Sequence, residues 1–218
     1  MKRMKNLHFF FALLRLHDTS IIQLPSDLRI GIKKKIKRGV KVSDKRPVIK
    51  PSGRERHFKP QELIVSKTDL KGHITYANEV FLRLSDYTEN EVLGQPHSMI
   101  RHPDMPRCIF KLLWDHISSG KEIFAYVLNM GKHGDHYWVY AHVTPTFDSG
   151  HKVIGYHSNR RVADPAILRS KIIPLYAELC KVEESTSNRK DGMNAASELL
   201  AKKLSDAGLA YDQFIQSL

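Results

Sequence analysis

The stretch EIFAYVLNMGKHGDHYWVYAHVTPTFDSGHKVIGYHSNRRV, residues 122–162, decides the fold. It holds three runs rich in β-branched and aromatic residues, 122–129, 135–146 and 152–162. Gly131-Lys132-His133-Gly134-Asp135 and Asp148-Ser149-Gly150 between them are turn signals. Extended runs joined by short turns predict antiparallel neighbours. Side chains alternate across a strand, so Ile123, Ala125, Val127 and Asn129 share a face of the first run. Tyr137, Val139, Ala141 and Val143 share a face of the second. Alanines on inward faces, Ala125 and Ala141, leave room that a packed core normally fills.

Upstream, Leu63-Ile64-Val65-Ser66 and Ile74-Thr75-Tyr76 flank the turn Asp69-Leu70-Lys71-Gly72 and predict two further strands. Asn78 opens a helical pattern, and Thr88 with Glu91 resembles a capping box. Asp104 is a cap candidate for the next helix, in which Ile109, Leu112, Leu113 and Ile117 recur at helical spacing before Gly120. The sum is an α+β domain over 61–163: two strands, short helices, then three strands. Residues 164–218 read as a C-terminal helical segment. Its first part, 165–184, is amphipathic, with Pro174 as a kink or restart. A polar linker over 185–192 and a second helical pattern over 193–218 follow. The apolar stripe of 165–184 is the candidate surface for a homodimer or a partner protein.

The chain has 218 residues and a formal charge of +12. The excess is local: residues 1–60 hold 17 basic and 4 acidic side chains, while 61–218 hold 18 and 19. Residues 1–60 therefore read as a basic, poorly ordered tail, with a polybasic arm for anionic lipid or nucleic acid as the other reading. No groove-reading motif is interleaved with the charge, so no specific nucleic acid is expected. Two cysteines, Cys108 and Cys180, do not make a disulfide scaffold. The longest opening apolar run, 9–14, is too short for a transmembrane span, and no small-x-small cleavage site follows it. A cytoplasmic location is expected.

Two runs carry a specific resemblance: Arg101-His102-Pro103-Asp104-Met105-Pro106 and Gly134-Asp135-His136-Tyr137-Trp138. With the opening Asp69–Asn78 pattern and Leu93-Gly94-Gln95-Pro96-His97, they resemble the PAS domain of bacterial aerotaxis receptors. The resemblance covers about residues 61–180. It implies a PAS fold, a five-stranded antiparallel sheet with short helices on one face, extended here by the C-terminal helices. It also implies non-covalent FAD and a role in sensing redox state or oxygen and signalling it to a partner protein. The family's flavin contacts would fall on Asn78, His97, Arg101, His102, Asp104, Trp114, Asn129 and Tyr137. On reduction of the flavin, Asn129 would flip its amide or Tyr137 would reorient. One departure stands at Ile123, where the family places a tryptophan that affects flavin binding.

Alternatives stay open. Some PAS domains bind haem through a histidine, for which His116 is the candidate ligand. A third reading is a cofactor-free interaction module, favoured by Ile123. His133, His136 and His142 lack the cysteine or carboxylate partners of a metal site. No glycine-rich phosphate loop, nucleophile elbow or triad spacing occurs, so the chain is not expected to be an enzyme.

Overall fold

The computed structural model describes residues 49–218. All five expected strands form: β1 (Ile64–Thr68), β2 (Ile74–Ala77), β3 (Ile123–Met130), β4 (His136–Phe147) and β5 (Val153–Val162). They build one antiparallel sheet in the order β2-β1-β5-β4-β3. The first hairpin sits at one edge, and β5 returns to pair with β1, for instance Ser66 opposite Ser158.

Helices α1 (Glu79–Ser85), α2 (Glu89–Val92) and α3 (Arg107–Ser118), with a 3-10 turn at His97–Ile100, occupy the β2–β3 connection. Asn78 starts α1 as expected, its Oδ1 accepting from the Phe81 N–H at 3.1 Å. The Thr88–Glu91 box also forms, Glu91 accepting the Thr88 N–H at 3.0 Å. The expected cap at Asp104 does not form. Pro106 precedes α3 directly, and the Cys108 N–H is taken instead by the Glu183 carboxylate at 2.7 Å, from 75 residues downstream. A proline at that place shifts the helix start beyond the reach of Asp104.

The amphipathic stretch 165–184 is three pieces: a helical turn Pro165–Ile167, a π-helical segment Leu168–Ile172, and α4 (Ile173–Glu184). Pro174 has no N–H to donate, and the wider π turn absorbs the missing bond. The polar linker is shorter than the composition suggests, because α5 (Arg189–Asp206) begins before Gly192. That glycine lies in the helix against α4; a Cβ there would meet the Glu183 carbonyl at 2.2 Å. The last helix, α6 (Tyr211–Gln216), packs on β3.

The stripe expected as a docking surface is instead core. Leu168, Ile172, Tyr176 and Leu179 are buried, and the Tyr176 hydroxyl donates to the Tyr126 carbonyl at 2.7 Å. The sheet's second face carries Tyr126 and Leu128 on β3, and the C-terminal helices cover it. The hydrophobic core thus runs continuously from Ile64 to Ile215, across the expected boundary at 163/164.

Most of the basic tail lies outside the described residues, but its end does not fit a loose segment. The Ser52 N–H donates to the Gly134 carbonyl and the Arg56 N–H to His136. Ser52, Arg54 and Arg56 converge on Asp135 at 2.6, 3.1 and 3.1 Å, and Arg56 also pairs with Asp86. Asp135 is buried and drives this docking, since a buried carboxylate needs partners. The Ser52 hydroxyl first, then Arg56 and Arg54, hold it down to about 2. A depressed carboxyl favours the folded state above its ordinary value and loses that effect as pH falls toward about 2. Asp135→Asn should therefore speed trypsin cleavage at Arg54 and Arg56 near neutral pH. The wild type should show the same release only on acidification below about pH 4, read with an acid-active protease.

Candidate functional site

The inner sheet face does not close on the helices. Between them lies a cavity of about 610 Å³. One wall is the sheet: Ser66 of β1, Val127 and Asn129 of β3, Ala141 and Val143 of β4, and Tyr156, Ser158 and Arg160 of β5. The other is His97–Arg101 with Phe110, Trp114 and Ile117 of α3. Ala141 contributes room where a larger residue would fill the wall, as parity suggests. Ala125 is core and does not reach the cavity.

Three polar side chains on this wall are buried with an atom left unpaired: Asn129 Nδ2 (residue 3% exposed), Ser158 Oγ (8%) and Arg160 Nη1 (4%). Buried donors ordinarily find partners, so three on one cavity is an unusual concentration. Arg160 also donates through Nη2 to Ser66 Oγ and His97 Nε2, both at 2.7 Å. To accept that bond, His97 must be neutral at Nε2. Burial, and then the charge of Arg160, push its pKa down to about 3.

Arg101 is half-buried on the cavity lining. Its backbone bridges to Asn129, its Nη2 donates to the Met105 carbonyl at 3.2 Å, and its guanidinium sits 4.1 Å from the Phe110 ring centre. Trp114 is 38% exposed and meets Tyr156 edge-on at 5.4 Å. Gly72, at φ +80°, turns β1 into β2 beneath it; a Cβ there would lie 3.0 Å from the indole. A side chain at this turn would crowd the indole where it lines the cavity.

Of the eight residues the resemblance implies, His97, Arg101, Trp114 and Asn129 meet on the cavity. The other four stand elsewhere. Asn78 is consumed by backbone: Oδ1 accepts from Val65 and Phe81, and Nδ2 donates to the Leu63 carbonyl. His102 is buried beside His136, its Nδ1 accepting the Asp104 N–H at 3.1 Å. Asp104 is exposed and away from the wall. Tyr137 is fully buried behind the wall with an unpaired hydroxyl, and burial raises its pKa. Tyr137 is thus not placed to reorient against an occupant. Sequence reading missed Ser66, Ser158 and Arg160; the signal was the parity of β5, where Tyr156, Ser158 and Arg160 share a face.

His116 does not line the cavity, and its Nδ1 bonds back to the Leu112 carbonyl at 2.9 Å, so the haem reading loses its ligand. Ile123 is core rather than wall. Cys108 is also off the cavity, and burial pushes its thiol up to about 12. Among the described residues, no group of three His, Cys, Asp or Glu could hold a metal, and no helix is long and apolar enough to cross a membrane.

Residues 74–160 match the family described as PAS fold. The chain is 44% identical over 117 residues to the aerotaxis receptor of Escherichia coli (strain K12), covering 53% of this chain and 22% of the receptor. It is 27% identical over 84 residues to the nitrogen fixation regulatory protein of Klebsiella pneumoniae, covering 38% of this chain and 17% of that protein. A solved structure described as "Flavin Analogue Sheds Light on Light-Oxygen-Voltage Domain Mechanism" aligns at TM-score 0.48 and 19% identity, over 54% of this chain and 89% of that one. The chain thus spans about a fifth of the receptor's length.

The His97 environment makes a pH prediction. Its folded pKa lies below the ordinary 6.5, so the unfolded chain binds the proton first. Stability should fall as pH drops from about 6.5 toward 3, and His97→Gln, which keeps an acceptor for Arg160, should flatten that slope in urea melts at stepped pH.

Proposed function

We propose that this chain, whose residues 74–160 are a PAS domain, is a sensory module that holds FAD in the cavity and signals redox state or oxygen to a partner protein. The unpaired donors of Asn129, Ser158 and Arg160 carry the reading. An isoalloxazine edge presents carbonyl oxygens and ring nitrogens, the acceptors these atoms lack. A volume of about 610 Å³ lies within the usual range of small-molecule sites. The similarity to an aerotaxis receptor supports the same reading.

FAD would supply reversible electron transfer coupled to protonation of its ring. The residues hold and orient it. Trp114 and Phe110 cover an aromatic ring from the α3 side, and Asn129 can present either its NH₂ or its carbonyl to the ring edge. Asn129 also pairs through its backbone with Arg101, which joins this strand to the loop leading to α3.

The C-terminal helices are placed to read that change. Met193 of α5 lines the cavity, as does Arg107, whose Nε pairs with Glu183 of α4 at 2.7 Å. An occupant therefore touches α5 directly and α4 through one ion pair. A coupling of about 1–3 kcal/mol would be enough for a usable switch.

Purification tests the reading. The protein should carry a flavin absorption spectrum that bleaches with dithionite, and the released cofactor should run as FAD. Colourless protein that also fails to bind added FAD would contradict it. Asn129→Ala and Trp114→Ala should each weaken FAD binding about tenfold by fluorescence titration, with the circular dichroism unchanged.

A further inference from the structure

The loop 101–104 runs between two buried anchors, Ile100 and Met105. Between them few ties hold it. The His102 N–H reaches the Leu128 carbonyl at 3.4 Å, Arg101 bridges to Asn129, and the Cys180 thiol of α4 donates to the Asp104 carbonyl at 3.3 Å. A pair of side chains adds to these. The His102 ring, 4% exposed, meets His136 of β4 edge-on, with ring centres 5.7 Å apart. Neither ring lines the cavity.

These contacts demand a neutral His102. Its Nδ1 accepts the Asp104 N–H at 3.1 Å, so the ring proton sits on Nε2. A second proton, on Nδ1, would face that N–H donor to donor and put a charge into a buried site beside another imidazole. The titratable groups facing the ring are Asp104, from its own loop, and His136, from β4. Arg54 and Arg56 bond to the His136 backbone but turn their guanidiniums to Asp135 and Asp86. The Cys180 thiol is held up to about 11 by burial and stays neutral. Burial holds the His102 pKa below its ordinary 6.5; Asp104 opposes this and His136 adds to it.

His136 is fixed on both sides, its N–H donating to the Arg54 carbonyl and its own carbonyl accepting from Arg56. The loop is the weaker side of the pair. The Asp104 carboxylate, 78% exposed and 3.7 Å from Nδ1, offers a charged ring a partner close to solvent.

We propose that His102 and His136 form an acid-sensitive latch: with both rings neutral it fastens the loop carrying Arg101 to the sheet, and a proton on His102 turns that ring from the Asp104 N–H to the Asp104 carboxylate and releases the loop. Arg101 then parts from Asn129, so acid opens the cavity along β3. The folded pKa is the lower one, so the closed loop is favoured above 6.5 and loses ground as pH falls below it. The latch does not depend on what the cavity holds.

The test uses the full chain and its two thiols. Cys180 rests on the loop and reports its release; Cys108, 1% exposed, reports unfolding of the domain. Labelling by dithiodipyridine, which reacts with thiols in acid, is followed at each site by peptide mass mapping, relative to a free thiol at the same pH. The relative rate at Cys180 should rise about tenfold between about pH 7.5 and about pH 5, with Cys108 still protected. His102→Asn, whose amide oxygen can still accept the Asp104 N–H, should hold the rate flat. Asp104→Asn, which removes the partner of the charged ring, should move the rise to lower pH. A flat rate in the wild type, a rise at Cys108 in step with Cys180, or a rise that persists in His102→Asn would each overturn the latch. Should His102→Asn fail to fold, proton spectra of the wild type decide. The His102 ring and the Asp104 amide should titrate together below about pH 6.5; a ring that titrates while that amide stays in place would overturn the proposal.

Discussion

A hydrogen-bond donor removed from water and given no partner destabilises a fold by about 1–3 kcal/mol, more if it is charged. Asn129, Ser158 and Arg160 place three such donors on one wall. The rest of the domain is arranged around sustaining that wall. The sheet fixes it through the long ladders of β4 with β3 and β5. A core of large apolar side chains, Phe81, Ile64, Ile74 and Ile109 among them, packs beside it. The fold thus tolerates local cost at the place where a ligand would relieve it, a common property of binding sites.

The C-terminal helices belong to this arrangement. Glu183 reaches from α4 to the first turn of α3, where its carboxylate meets both the Arg107 guanidinium and the Cys108 N–H. Negative charge at a helix N-terminus is favourable, and the buried carboxylate is satisfied by the same contacts. Gly192 then lets α5 approach the Glu183 carbonyl, which brings Met193 to the cavity. An element that looks like an appendage in the chain order is part of the wall. For that reason the apolar stripe of 165–184 is spent inside the molecule rather than offered to a partner.

The strands were legible because alternation and turn chemistry are local. Residues 122–162 read correctly as three antiparallel strands, and the Asn78 and Thr88 caps were visible in their neighbours. The α3 start was not legible, since its carboxylate comes from Glu183 and no local pattern reports a contact 75 residues away. The docking of 52–56 on Asp135 was hidden likewise, behind a basic composition that reads as solvated. Four of the eight residues that the family motif implies line the cavity. Asn78, His102, Asp104 and Tyr137 lie off the cavity lining, and a motif marks what a loop needs to fold as well as what a ligand touches. Arg160 and Ser158 escaped because the inward parity of β5 is set only when it pairs with β1 and β4.

The central claim is that these donors are unpaired because they await an occupant. Nitrogen-15 spectra of the side-chain amide of Asn129 and the guanidinium of Arg160, recorded before and after adding FAD, test it most directly. The account predicts that both resonances move as their N–H groups gain acceptors, and that they saturate at one FAD per chain. Resonances that stay in place while FAD binds, or that already show fully bonded donors in the empty protein, would contradict it.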